Sequence, residues 1–441
     1  QNYRSHANIL DSANHLIAHN TERLGKNLRT DAGHGELVRL FEAHSDGLEA
    51  SWLVDEIRGL INDGMTRSEV AILYRSNAQS RIIEHSLFSA SIPYRVYGGL
   101  RFFERAEIKH ALAYLRLLEN PNDDTAFSRI VNFPTRGIGA RSIESLQDIA
   151  KTQQCSLYSA ASMIEGKSSA SISSFIRLID HMRESTRHNT LPELIDFMIV
   201  HSGLIQHYLA EREGQDRIEN LRELINAATA FVAEEGMGQD AIALTPALRN
   251  SHLTEQVVLD GQLTEFDLPE MSPLAGFLAH ASLEAGDNQA QAGQDAVQLM
   301  TVHSSKGLEF KAVFITGLEE GLFPHENSIN EPKGLEEERR LMYVAITRAR
   351  DRLYLSHTQS RMLHGQVRYN LPSRFLEELP KSCLKILTPR TAENRWGGSS
   401  MRQVNPSWGS ASLSQDVPSL RKNSDTAITV VSKKPSEHGF Y

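Results

Sequence analysis

Val70-Ala71-Ile72-Leu73-Tyr74 is an unbroken apolar run set off by Asp63-Gly64, long enough for one strand buried on both faces and too short for a helix. Comparable strand patterns return only at 297–302, 312–317 and 353–355. Helix-spaced apolar residues flank the first strand: Ile9, Leu10, Ala13, Leu16 and Ile17 behind Ser5 as N-cap, and Leu53, Val54, Ile57, Leu60 and Ile61. Between the two groups, from about 102 to 284, helix-period segments separated by loops predominate, as in Ala111, Leu112, Tyr114, Leu115 and Leu118. Neither α/β stretch holds enough strands for a sheet of its own. The economical arrangement is therefore one parallel-sheet α/β domain interrupted by a mainly helical insertion.

The 441 residues allow two to four domains, and 40% hydrophobic with 23% charged residues is an ordinary globular balance. A net charge of −9 gives no overall basic footprint for nucleic acid. Cys155 and Cys383 are too few for a disulfide framework or a thiolate zinc site, which fits a reducing cytoplasm. No stretch approaches the ~20 apolar residues of a membrane span. The chain starts at Gln1 rather than Met, which suggests a processed or truncated protein. Segment 234–273 lacks a sustained period and reads as a long loop or insert. Beyond Pro380 the chain is rich in Ser, Asn, Thr and Pro and reads as a flexible tail, with nine Lys/Arg against four Asp/Glu. That tail is either a solvated terminus or a docking segment for DNA or protein, with Trp396 and Trp408 beside Arg395 and Arg402 as anchors.

Two segments concentrate chemistry. Thr301-Val302-His303-Ser304-Ser305-Lys306-Gly307-Leu308-Glu309 follows an apolar strand, and ligands in parallel sheets sit at such carboxyl-terminal ends. An ordinary polar loop is the alternative. In 336–350, Arg340, Thr347 and Arg348 recur near i, i+7 and i+8, so a helix would align them for phosphate. A solvated helix laced with Glu–Arg pairs competes with that reading. Tyr3-Arg4 joins an aromatic face to a guanidinium, suited to a purine and a phosphate.

Taken in order, Gln1–Ser5, the run 74–81 (Tyr-Arg-Ser-Asn-Ala-Gln-Ser-Arg), 301–310, Gly321-Leu322-Phe323-Pro324-His325 and 339–350 resemble motifs IV, IVa, V, its extension and VI of the UvrD/Rep/PcrA-type superfamily I DNA helicases. The resemblance covers roughly residues 1–380. It implies a RecA-like domain of the P-loop NTPase fold (2A, residues 1–98 and 295–380) interrupted by a helical 2B domain (99–294) and followed by a basic tail (381–441). It also implies ATP as the nucleotide, with Tyr3 stacking on adenine, Arg4 and Arg348 reaching the γ-phosphate as catalytic arginines, and Glu309 meeting the ribose. Gln298 and Arg340 would be structural or coupling residues.

On the same resemblance, Arg75, Asn77, His303 and His325 would contact single-stranded DNA; their side chains can bond phosphates or bases. Thr135-Arg136-Gly137-Ile138-Gly139 resembles the element with which 2B grips duplex DNA, since glycine amides at a helix start approach phosphate closely. The implied partners are single-stranded DNA, a single-strand/duplex junction, and DNA repair proteins, with no membrane.

No G-x-x-x-x-G-K-[ST] phosphate loop occurs in the sequence. Gly166-Lys167-Ser168 has Ala161 at the first glycine position, and Asp55-Glu56, though like a Mg²⁺-binding pair, sits in a helix-spaced segment. The Mg²⁺ ligands and phosphate loop are expected in a first RecA-like domain that precedes these motifs, so no metal site is expected here. The implied activity is that of an ATP-dependent DNA helicase moving 3′ to 5′, in DNA repair, with this chain alone inactive. The rival reading is a stand-alone DNA-binding or regulatory protein without ATPase activity; a helicase–nuclease subunit fits less well, because the tail carries no carboxylate–lysine core.

Overall fold

In the computed structural model, Val70–Tyr74 forms a strand paired on both edges, and every residue is buried because apolar layers cover both faces of the sheet. The structure describes residues 5–21, 27–164, 169–212, 214–238, 240–245, 255–259, 262–266, 271–286, 294–363 and 365–387, with 255–259 and 262–266 described by backbone alone. Residues 1–389 form one unit; the second, 390–441, lies outside the described residues, as do the expectations placed on Trp396 and Trp408.

The first segment runs α1 (Ala7–Ile17), β1 (Val38–Ser45), α2 (Asp46–Asn62), β2 (Val70–Tyr74), α3 (Ser80–Ser89) and β3 (Tyr94–Val96). Helices follow: α4 (Ala106–Glu119), α5 (Asp124–Ile130), α6 (Ala140–Gln153), α7 (Leu157–Ala160), α8 (Ser169–Ser185), α9 (Leu191–His201), α10 (Leu204–Leu209) and α11 (Gly214–Glu234). A hairpin, β4 (Glu255–Leu259) and β5 (Gln262–Phe266), precedes α12 (Pro273–Gly286). The chain closes with β6 (Val297–Thr301), β7 (Phe310–Ile315), α13 (Glu326–Ile329), α14 (Gly334–Ile346), β8 (Ala349–Leu363), β9 (Gln366–Tyr369), α15 (Arg374–Glu377) and β10 (Leu384–Leu387).

Seven strands pair in parallel in the order β10-β1-β8-β7-β2-β6-β3, and β9 adds antiparallel to β8. This is the expected parallel-sheet α/β architecture. Alternate strand residues face opposite sides, so Leu73 and Val313 join α1 and α14 in one apolar layer while Ile72 and Phe314 join α2 and α3 in the other. The helical insertion leaves after β3, the sheet's edge strand, and returns as β6, its neighbour, carrying a core of its own around Tyr114, Phe127, Phe175 and Leu221. Burying each such side chain contributes about 1.5–3 kcal/mol.

Several expectations need correcting. Ser5 does not cap α1; His6 holds that position, and Ser5 Oγ donates to Ala349 O at 2.7 Å. The strand expected at 353–355 is only the middle of a 15-residue β8. The tail expected from 381 starts with a turn and β10, which pairs with β1, so it is shorter than the sequence implied. Within 234–273 the hairpin β4–β5 supplies regular structure.

Ser356, Thr358 and Arg361 of β8 are buried and matched. Arg361 bonds Glu49 Oε2 at 2.8 Å and both oxygens of Glu319 at 2.8 and 3.1 Å. Thr358 N and Oγ1 also donate to Glu319 at 2.9 Å, and Ser356 Oγ donates to Glu49 at 2.7 Å. This cluster ties the first turn of α2 to β8 and to the turn after β7.

Candidate functional site

At the carboxyl end of β2, Arg75 N and Ser76 N both donate to Gln79 Oε1, at 3.0 and 2.8 Å, which folds the chain into a tight turn before α3. That turn aims Arg75 at α14. Its Nε and Nη2 meet the Glu338 carboxylate at 2.7–3.1 Å, and Glu338 Oε2 also accepts from His325 N at 3.1 Å. His325 caps α13, its Nδ1 accepting from Asn327 N, while its Nε2 lies 3.6 Å from Glu219 on α11. Glu219 in turn accepts from Ser76 Oγ at 2.7 Å.

Burial alone would raise the pKa of Glu338, but the hydrogen bonds and charge of Arg75 outweigh it and hold the carboxyl below its ordinary value. Glu219 is lowered in the same way, with His325 and Ser76 overcoming its burial. His303, in the turn after β6, is shifted down by desolvation and then by the Arg75 charge, which keeps its imidazole neutral at pH 7. Although much of the residue is exposed, neighbouring atoms crowd the ring enough to desolvate it. Asn77 is half-buried, and its backbone O accepts from Arg105 Nη1 at 3.0 Å. Arg75, Asn77, His303 and His325 thus gather at the carboxyl ends of β2 and β6 and the cap of α13. Arg75 and His325 arrive already engaged with carboxylates.

A second group surrounds the start of β8. Arg348 lies beyond the end of α14, where Thr347 is the C-cap, so the expected helical row of Arg340, Thr347 and Arg348 is broken. Three neutral oxygens hold its guanidinium: Leu308 O at 2.8 Å, Val344 O at 3.1 Å and Thr347 Oγ1 at 3.1 Å. Glu309 Oε1 lies 3.8 Å from Arg350 Nη1 on the same edge. The Ser5–Ala349 bond brings the start of the chain beside this group, while Tyr3 and Arg4 lie outside the described residues. Arg340 pairs with Glu336 and Glu337 on its own helix, and Gln298 Nε2 donates to Ala296 O at 2.6 Å.

The third group is the loop before α6. Asn132 Oδ1 accepts from Arg136 N at 2.9 Å and Ile138 N at 3.1 Å, and Ile138 is buried. Arg136 turns inward: its guanidinium donates to Ile130 O, Pro134 O, Ser202 O and Tyr114 OH, and lies over the Phe175 ring. That placement runs against Arg136 as a DNA contact. Thr135, Gly137 and Gly139 are exposed; Gly137 has φ +74°, and Gly139 is the N-cap of α6.

Asp55 and Glu56 lie on α2, where Glu56 pairs with Arg39 at 3.4 Å, so they form no strand-end pair. Gly166-Lys167-Ser168 lies outside the described residues. Among the described residues, the metal-ligand grouping found is His85, His280 and Glu284, whose imidazoles do not suit the all-oxygen octahedron of Mg²⁺. No helix among them is long and apolar enough to cross a membrane.

The family model of the UvrD-like helicase C-terminal domain matches residues 1–360. The chain belongs to that family. Among its relatives, DNA helicase II of Escherichia coli K12 is 44% identical over 403 residues, covering 90% of this chain and 52% of that protein. DNA helicase II of Haemophilus influenzae is 43% identical over 90% of this chain and 51% of its own length. ATP-dependent DNA helicase PcrA of Staphylococcus epidermidis is 38% identical over 87% and 49%. The chain spans about half the length of the curated relatives it matches.

Within this UvrD-like helicase C-terminal domain the sequence reading missed the carboxylates that organise the site. Glu338 shares the buried face of α14 with Met342 and Ala345, at i, i+4 and i+7. A charged residue at such a position needs a partner, and that was the available signal. Glu219 carried no comparable mark, because its partners Ser76 and His325 come from distant segments.

Proposed function

We propose that the chain is the C-terminal motor half of an ATP-dependent DNA helicase that moves 3′ to 5′ along single-stranded DNA and opens duplex DNA, in repair. The observation that carries this reading is the pairing of two groups on one sheet: Arg348 and Glu309 beside the start of β8, and Arg75, Asn77, His303 and His325 around the carboxyl ends of β2 and β6. The relatives named DNA helicases support it.

In this reading Arg348 and Arg4 bind the γ-phosphate of ATP held by a second RecA-like domain, Tyr3 stacks on the adenine and Glu309 meets the ribose. The three oxygens of Leu308, Val344 and Thr347 around Arg348 fix the direction of its guanidinium. Mg²⁺ would supply charge neutralisation at the phosphates, through ligands outside the described residues. Asn77 and the neutral His303 bond or stack on the DNA strand, whereas Arg75 and His325 hold the turn that presents them. Thr135 and the amides at Gly137 and Gly139 meet duplex phosphates, with Arg136 fixing the loop from within.

The test is Arg348→Ala in the whole protein, read by DNA-stimulated ATP hydrolysis and by single-strand affinity. Turnover is expected to fall roughly 10³-fold or more with affinity unchanged. Unchanged turnover would sink the assignment, and unwinding of 5′-tailed rather than 3′-tailed duplexes would overturn the polarity.

A further inference from the structure

His85 on α3, Glu234 at the end of α11, and His280 with Glu284 on α12 converge where the helical insertion packs against the sheet. One ligand atom from each of His85, His280 and Glu284 can be chosen so that all lie within 4.8 Å of one another. His85 Nδ1 is 2.5 Å from Glu284 Oε1, His280 Nε2 is 3.4 Å from the same oxygen, and His85 Nε2 is 3.3 Å from Glu234 Oε2. They border a cavity of ≈10 Å³ walled by Phe231 and Phe277. Such a volume admits about one water-sized occupant.

Two details describe the donors this group presents. Nε2 of His280 is the ring nitrogen turned toward Glu284, while its Nδ1 is buried on the other side of the ring. Glu284, only 8% exposed, faces two imidazoles through a single oxygen. The nearby cation Arg81 is engaged by Glu223, and Arg101 donates to Glu284 O, fixing the end of α12.

We propose that His85, His280 and Glu284 bind a Zn²⁺-class transition metal with water as the fourth ligand, Glu234 orienting the His85 ring through its other nitrogen. Two imidazoles and a carboxylate are a zinc donor set, and His280 and Glu284, at i and i+4, present both ligands from one face of a helix. Ligand atoms in a tetrahedral zinc shell stand about 3.3 Å apart, so the His85–Glu284 contact need open by less than about 1 Å. Glu284 and the nearby Glu234 supply negative charge for a divalent ion, and Phe231 and Phe277 wall the cavity on one side. The ion would bridge α3 on the sheet side to α12 in the insertion. This site stands apart from the proposed ATP and DNA groups and does not depend on them.

The chain, stripped with chelator, is titrated with Zn²⁺ by calorimetry and with Co²⁺ by visible absorption. One equivalent of Zn²⁺ should bind and raise the melting temperature, Co²⁺ should give d–d bands, and His280→Gln or Glu284→Gln should weaken Zn²⁺ binding at least about tenfold. Failure of the wild type to bind Zn²⁺, or equal binding by wild type and both variants, overturns the proposal. Should Glu284→Gln fail to fold, His280→Gln, close in volume to the parent, decides with its fold checked by circular dichroism.

Discussion

The guanidinium of Arg75 grips the carboxylate of Glu338 through both Nε and Nη2, joining the end of β2 to the buried face of α14 across 263 residues of chain. Replacing Glu338 with Gln leaves that guanidinium without its counter-charge and should cost about 3 kcal/mol in urea unfolding at pH 7. Because the folded-state pKa of Glu338 lies below its unfolded value, its contribution is present above the ordinary carboxylate range and disappears as pH falls through the folded value. The wild type should therefore lose more stability on acidification than Glu338→Gln. Parallel acid profiles would refute the coupling.

Arg361 meets two buried carboxylates, Glu49 and Glu319. Arg361→Met would strand both, and we expect a loss of about 3–5 kcal/mol in denaturant melts. Restoring much of it by adding Glu49→Gln would show that the cost is the unpaired charge. Glu319, held low by Arg361 against its burial, should make the wild-type fold weaken as pH falls through its folded pKa.

Arg136→Ala removes four donor contacts and a cation over Phe175, so the helical insertion should lose at least about 2 kcal/mol. A variant with unchanged melting and lost duplex binding would instead make Arg136 a direct DNA contact.

Gly137 offers open space at its Cβ position but a left-handed backbone, which Asn and Asp tolerate best. Gly137→Asp should weaken binding to a tailed duplex about tenfold, whereas Gly137→Asn serves as its uncharged control. Equal behaviour of the two in a salt-controlled binding assay would remove the loop from the duplex interface.

How far the sequence could be read follows from where polar residues are buried. Val70–Tyr74 was legible residue for residue because apolar layers cover both faces of the sheet there, which demands an apolar run. β1 escaped although it lies inside the sheet, since Arg39, Glu42 and His44 interrupt it; Arg39 is matched by Glu36, Glu56 and Tyr354. Most of β8 was hidden likewise: Ser356, His357 and Thr358 read as surface, yet all three are buried. The positions of Arg75, His303 and His325 were visible as motifs, whereas the acid partners that set their charge come from α11 and α14 and leave no local pattern.

The insertion joins the sheet through β3, three residues at the open edge, held by β6 and extended by Val297 N to Pro93 O and Tyr97 N to Leu299 O. Beside this strand connection, Glu219 on α11 reaches Ser76 and Glu223 reaches Arg81, so the insertion also bears on the segment that follows β2. Arg105, which reaches Asn77 O and Ser80 Oγ, is a further rivet, and it pins the turn that carries Arg75.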